Sequence, residues 1–130
     1  MNAFLLSSIF AFILGLSLCI FTYRKDPNSP IHRLFSLFLL CLCLWIFGDF
    51  FYLTPLIQYL SPLTGYKVSH IGATLTPCLY LHFIFHYTRV TKYKILLTLN
   101  YSLSILLLIT NLFSTQFFKS IAYSTGAYYL

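Results

Sequence analysis

The pattern of hydrophobic and polar positions divides the chain into four long apolar runs joined by short polar connections. The runs cover residues 3–23, 34–53, 68–88 and 95–117, and an aromatic tail follows over residues 118–130. A helix needs about 20 apolar residues to cross a bilayer, and each run meets that length. The pattern predicts an all-α, polytopic membrane protein with four transmembrane helices in one membrane domain, residues 1–130.

The third run, VSHIGATLTPCLYLHFIFHYT, differs from the others because it holds three of the four histidines. On a helix its polar side chains fall into two rows. The first row is His70, Thr74, Cys78, His82 and His86, and the second is Ser69, Thr76, Tyr80 and Tyr87. Polar groups facing lipid without a partner are costly. We therefore expect neighbouring helices or a wet cavity on both sides of this helix, which places it centrally.

The connections are predicted from prolines and charged residues. Residues 24–33 are predicted as a loop, because Pro27 and Pro30 argue against a continuous helix. Asn28 and Ser29 in this loop can cap the start of the second helix. Residues 54–67 are predicted as a short connection between the second and third helices. In the first run, Ser7, Ala11 and Gly15 recur every four residues as a small face for a neighbouring helix.

Composition identifies the lipid bilayer as the solvent and partner. The chain is 59% hydrophobic and 8% charged, whereas soluble domains have about 25% charged residues. The net charge of +6 would suggest nucleic acid in a soluble protein. No basic face with interleaved aromatics lies outside the apolar runs, so no nucleic-acid partner is expected.

The basic residues predict the topology. Six lie in the connections after the first and third helices, Arg24, Lys25, Arg33, Arg89, Lys92 and Lys94, against Lys67 and Lys119 on the other side. Cytoplasmic loops carry the excess of Lys and Arg, so both termini are expected outside, N-out and C-out, in the plasma (inner) membrane of a cell. All four cysteines fall inside apolar runs, so no disulfide framework is implied.

Asp49 is the acidic residue placed inside an apolar run. It lies about four residues from the end of the second run, where a carboxylate needs water or a partner. Lys67 and His70 start the third helix on the same side and can neutralise it. We predict a buffered polar site formed by Asp49, His70 and Lys67; a hydrated acid at the membrane interface is the alternative.

His82 and His86 are four residues apart, a spacing that can bind a metal or approach a haem. The tract lacks the glutamate of a hydrolytic zinc helix, and no acidic residue lies nearby to orient either imidazole. Three roles stay open for His82: a structural hydrogen bond, a metal or haem ligand, or ligand and proton handling. No catalytic residue, metal or cofactor is predicted.

The chain resembles the N-terminal seven-helix membrane region of bacterial sensor histidine kinases. The likeness covers nearly all residues and rests on a basic, proline-containing loop and a few fixed positions. These positions are Arg33-Leu34-Phe35, Trp45-Ile46-Phe47-Gly48, Gly72, Pro77, Leu81-His82-Phe83 and Thr88-Arg89. His32, Thr76 and Asp49 depart from the family pattern. The resemblance implies the first four of seven helices, as a surviving front part or fragment.

The resemblance implies a membrane sensory module of a two-component system, acting in signal transduction without its own catalysis. The sequence has no glycine-rich nucleotide pocket, so the kinase would be elsewhere. A homodimer, or separately encoded remaining helices and kinase, would complete the module. The alternatives are a small dimeric ion-coupled transporter, for which Asp49 is rather close to the membrane rim, and an accessory subunit of a membrane complex.

Overall fold

Four α-helices make up the regular structure of the residues described by the computed structural model, which are 3–53, 62–89 and 94–113. They are α1 (Ala3–Lys25), α2 (Pro30–Leu53), α3 (Pro62–Tyr87) and α4 (Lys94–Phe113). Each is long and apolar enough to cross a membrane. The predicted all-α fold with four membrane-spanning helices is therefore confirmed. The predicted end of the fourth helix at residue 117 and the tail 118–130 lie outside the described residues.

The connection between α1 and α2 is shorter than predicted, since it comprises residues 26–29 alone. The Asp26 carboxylate accepts the backbone N–H groups of Asn28, at 3.1 Å, and Ser29, at 3.2 Å. Pro30 occupies the first helical position, where a missing N–H is tolerated. The predicted start at residue 34 is wrong because this proline begins the helix rather than interrupting it.

The start of α3 differs from the prediction for the same reason. The helix begins at Pro62, six residues before the predicted Val68. Residues 62–67, predicted as part of the connection, form its first turns. Gly65 and Lys67 therefore belong to a helix that packs against its neighbours.

The helices pack in chain order, each antiparallel to the one before. α2 contacts α1 and α3, α3 contacts α2 and α4, and the α2–α3 interface is the largest. α1 packs mainly on α2, so the central place predicted for α3 is shared by both helices. We call the end with the α1–α2 connection and the C-terminus of α3 the basic end, and the opposite end the Asp49 end.

Glycines bring the backbones of α2 and α3 into contact toward the Asp49 end. A Cβ atom added to Gly48 would lie 2.6 Å from the Ser69 Cα and 2.7 Å from the Gly65 carbonyl oxygen. A Cβ atom added to Gly72 would lie 2.6 Å from the Cys41 carbonyl oxygen. Such close approach is typical of transmembrane helix pairs, where small residues admit the neighbouring backbone. This half of the interface is the glycine half.

Aromatic rings fill the same interface toward the basic end. Phe35 of α2 and Phe83 of α3 have ring centroids 5.2 Å apart, and Phe38 and Tyr80 have centroids 5.5 Å apart. Both separations are in the range of favourable ring pairs. In this aromatic half, side chains and not backbones make the contact between the helices.

Candidate functional site

The Asp49 carboxylate lies at the α2–α3 contact. Its Oδ1 accepts a hydrogen bond from the Ser69 hydroxyl at 2.5 Å, and Ser69 is 5% exposed. Gly48, the residue before Asp49, is the glycine that admits the α3 backbone next to Ser69. The same close approach that packs the helices therefore delivers a hydroxyl donor to the carboxylate. Ser69 belongs to the second predicted polar row, which faces α2 at this position.

The other residues predicted around Asp49 lie on the first turns of α3. The His70 ring packs against Tyr66, with centroids 4.2 Å apart and the planes at 45°. Lys67 Nζ donates to the carbonyl oxygen of Leu112 on α4 at 3.4 Å. The structure thus places Lys67 and His70 at the same end as Asp49, and one of them reaches the fourth helix.

These residues form a cluster on α2 and α3 at the Asp49 end, and Lys67 links it to α4. We call it the Asp49 cluster; its members are Asp49, Tyr66, Lys67, Ser69 and His70. On α4, Asn111 lies next to the carbonyl that Lys67 binds. Its side-chain nitrogen is buried without a hydrogen-bond partner among the described residues. A carboxylate, an imidazole and an ammonium group at the same end of neighbouring helices are groups that can exchange protons or bind a small polar or cationic ligand.

A second polar cluster joins α3 to α4 nearer the basic end. His82 Nδ1 is hydrogen-bonded to the Tyr101 hydroxyl at 2.9 Å, and the two rings meet edge to face. Cys78 is fully buried, and its Sγ contacts the Ser104 hydroxyl and, at 3.5 Å, the carbonyl oxygen of Asn100. We call Cys78, His82, Tyr101 and Ser104 the His82 cluster.

The His82 cluster accounts for the middle of the first predicted polar row. Cys78 and His82 both meet α4, whereas His86 at the end of the row is exposed. In this structure one His82 nitrogen makes a hydrogen bond between helices. Within the described ranges, no three His, Cys, Asp or Glu side chains are grouped so that they could hold a metal ion.

Five residues of these clusters were not predicted as site residues from the sequence: Ser69 and Cys78, which were assigned to the polar rows alone, and Tyr66, Tyr101 and Ser104. Tyr66 precedes the predicted start of the third helix, and Tyr101 and Ser104 lie on α4. Tyr66 is four residues before His70, a spacing that would have indicated contact on a longer helix. For Tyr101 and Ser104 the contact depends on how α3 and α4 align, which periodicity within one helix does not specify.

The sequence of residues 7–130 matches the family described as the N-terminal 7TM region of histidine kinase. The chain belongs to this family. No curated protein and no solved structure matches it. The predicted resemblance is therefore confirmed, and with it a multi-pass membrane location. Several of the positions on which that resemblance rests, namely Gly72, Pro77 and Leu81-His82-Phe83, lie on α3. The same helix contributes residues to both polar clusters.

Proposed function

We propose that the chain is a sensory input module of the plasma (inner) membrane that passes a signal on and has no catalysis of its own. Its membership of the histidine kinase 7TM family supports this role, because the matched region is a membrane region and not a catalytic domain. The observation that carries the proposal is the Asp49–Ser69 hydrogen bond. It places an ionisable group where α2 and α3 touch.

The mechanism is a shift of α3 against α2. A stimulus that changes the charge or the hydrogen bonding of Asp49 alters the contact in the glycine half. Because backbones touch there, a change in that contact requires the helices themselves to move. The aromatic half then repacks, which moves the helix ends at the basic end. A ligand can drive this shift by binding the two arrangements with different affinity.

We further propose that the basic end faces the cytoplasm, where the excess of Lys and Arg belongs. Asn28 lies in the exposed connection between α1 and α2, so Asn28→Cys reports the side of that end. We expect an impermeant maleimide to label this cysteine in inverted vesicles and not in intact cells. The four native cysteines provide the background value in the unsubstituted chain. Labelling in intact cells would reverse the proposed orientation.

The signal itself is testable by the distance between two spin labels at the basic end. One label is on Asn28→Cys, just before α2, and the other is on Thr88→Cys, just after α3. The distance between them is recorded while the pH and the concentration of small cations are varied. We expect a change that disappears in Asp49→Asn with His70→Ala. His86→Ala is the matched control, because it removes an exposed imidazole on the same helix. A response that survives the double substitution would contradict the proposed site.

The module needs further protein to act on. A second copy of the chain, or separately encoded helices with a kinase, would receive the shift. Purification of the chain with its bound proteins tests this and also tests an accessory role in a larger complex. Ion-coupled transport is the less favoured function because Asp49 lies close to the end of α2, and the sequence has no carboxylate deeper in a span. A proton flux that depends on Asp49 would support transport instead.

A further inference from the structure

A groove of about 550 Å³ lies between α1 and α2 at the basic end. Ile20 and Tyr23 of α1 and Leu37 and Leu40 of α2 line its walls. Residues three or four apart on a helix share one face, so each pair presents a continuous stripe to the groove. All four side chains are between 40% and 51% exposed. The walls therefore offer an apolar surface that is open to the surroundings of the helices.

The two helices satisfy one another's polar groups along the groove. The Ser36 hydroxyl donates to the Cys19 carbonyl oxygen, and the Cys19 thiol donates to the Ser36 carbonyl oxygen, both at 3.2 Å. This reciprocal pair lets α1 and α2 approach without an unpaired hydroxyl between them. With these polar groups paired, the apolar walls of the groove suit a hydrocarbon chain rather than a polar ligand.

Two arginines also line the groove, where α1 ends and α2 begins. Arg24 is in the last turn of α1, and Arg33 is in the first turn of α2. Arg33 Nε donates to the Pro27 carbonyl oxygen, which holds the guanidinium in place and leaves its terminal nitrogens for a ligand. Asp26, the acidic residue of this connection, has one carboxylate oxygen engaged by two backbone N–H groups. The chain's other acidic residue, Asp49, lies at the opposite end.

We propose that this groove binds an anionic phospholipid. The phosphate lies between the guanidinium groups of Arg24 and Arg33, and one acyl chain follows the wall of Ile20 and Leu37. Guanidinium forks match the geometry of phosphate oxygens, and basic pockets between transmembrane helices bind anionic head groups. The charge and the apolar walls call for a ligand with both parts, which is a lipid and not a free phosphate. This inference is independent of the sensory function.

The test titrates the purified full chain in neutral detergent with long-chain phosphatidylglycerol and measures bound lipid by native mass spectrometry. We expect phosphatidylglycerol to bind saturably. Phosphatidylcholine of the same chain length and glycerol phosphate should each bind at least about tenfold more weakly. Arg24→Gln with Arg33→Gln should weaken phosphatidylglycerol binding about 30-fold. The matched control is Lys25→Gln with Lys94→Gln, which removes two exposed charges near the same end but outside the groove. The affinity of this control for phosphatidylglycerol should fall by no more than about threefold, since exposed charges outside the groove are screened.

Three results would overturn the proposal. Equal losses in the two pairs of variants would mean general attraction to a basic surface. If phosphatidylcholine bound as tightly as phosphatidylglycerol, the arginines would not select an anionic head group. If glycerol phosphate bound as tightly as phosphatidylglycerol, the groove would be a phosphate site that does not recognise a lipid. If the arginine variant does not fold, as judged by helical circular dichroism, the comparison of the three ligands with the wild-type chain still decides.

Discussion

The two interfaces of α3 are built in different ways. Against α2 it presents glycines in one half and aromatic rings in the other, so that backbones meet in the first and side chains in the second. Against α4 it makes polar contacts along its length: Lys67 to a carbonyl, Cys78 to Ser104 and His82 to Tyr101. Much of α4 is exposed, and its large apolar side chains reach 80% exposure at the end of the helix.

The difference shows what holds helices together where lipid is the solvent. Apolar side chains gain little by leaving lipid for protein, so association depends on close van der Waals contact and on hydrogen bonds between helices. The α2–α3 interface relies mainly on the first, with the Asp49–Ser69 hydrogen bond added toward one end, and the hydrogen bonds from α3 to α4 are of the second kind. A change in volume should therefore damage the α2–α3 interface most, whereas the loss of one polar group should cost less at either interface.

The largest effect is expected from Gly72→Ala. The new methyl would lie 2.6 Å from a backbone oxygen of α2, so the helices must separate. We expect a loss of about 2 to 3 kcal/mol in unfolding free energy, measured by denaturation in mixed micelles. Gly15→Ala is the control, because its methyl would meet the Cys43 sulfur, a side-chain atom, at 2.9 Å. Equal losses at both glycines would contradict a backbone contact specific to α2 and α3.

A smaller effect is expected from Ser69→Ala, which leaves the Asp49 carboxylate without this donor. The loss should be about 1 to 3 kcal/mol, because Asp49 is half-buried and hydrogen bonds to charged groups contribute more than those between neutral groups. In the Asp49→Leu background the same substitution should cost much less, because no carboxylate remains to be satisfied. A double-mutant cycle measures the difference. Additive losses would show that the hydroxyl stabilises the fold without the carboxylate.

Tyr101→Phe should have a lesser effect, since it removes one hydroxyl and no packing volume. Hydrogen bonds between transmembrane helices average about 0.6 kcal/mol, so we expect a loss of that order. The His82 ring should also change its NMR chemical shift, because its Nδ1 loses a hydrogen-bonded neighbour. Tyr80→Phe, at an exposed tyrosine, is the control and should leave both stability and the His82 signal unchanged.

The smallest effect is expected from Ile105→Ala on the exposed face of α4. Ile105 is 54% exposed, so its truncation should change the stability of the isolated chain by less than about 0.5 kcal/mol. A larger loss that grows with protein concentration would indicate that a second copy covers this face. The comparison of the two interfaces would then apply only to the single chain.

Much of the fold could be predicted from the sequence because the period and length of apolar runs are local properties. The four helices, their membrane-spanning length and the need of α3 for polar neighbours all follow from such patterns. The helix starts at Pro30 and Pro62 could not be predicted in this way, because a proline at the first helical position and a proline in a loop look alike in the sequence.

The sequence by itself determined that Asp49, His70 and His82 lie within apolar runs and need polar surroundings. Only the tertiary structure decided which groups on a neighbouring helix provide them: Ser69 for Asp49, and Tyr101 for His82. The physical reason is that helical periodicity specifies the face of a side chain but not the axial alignment of neighbouring helices. Between α2 and α3, Gly48 and Gly72 mark where that alignment lets the two backbones touch.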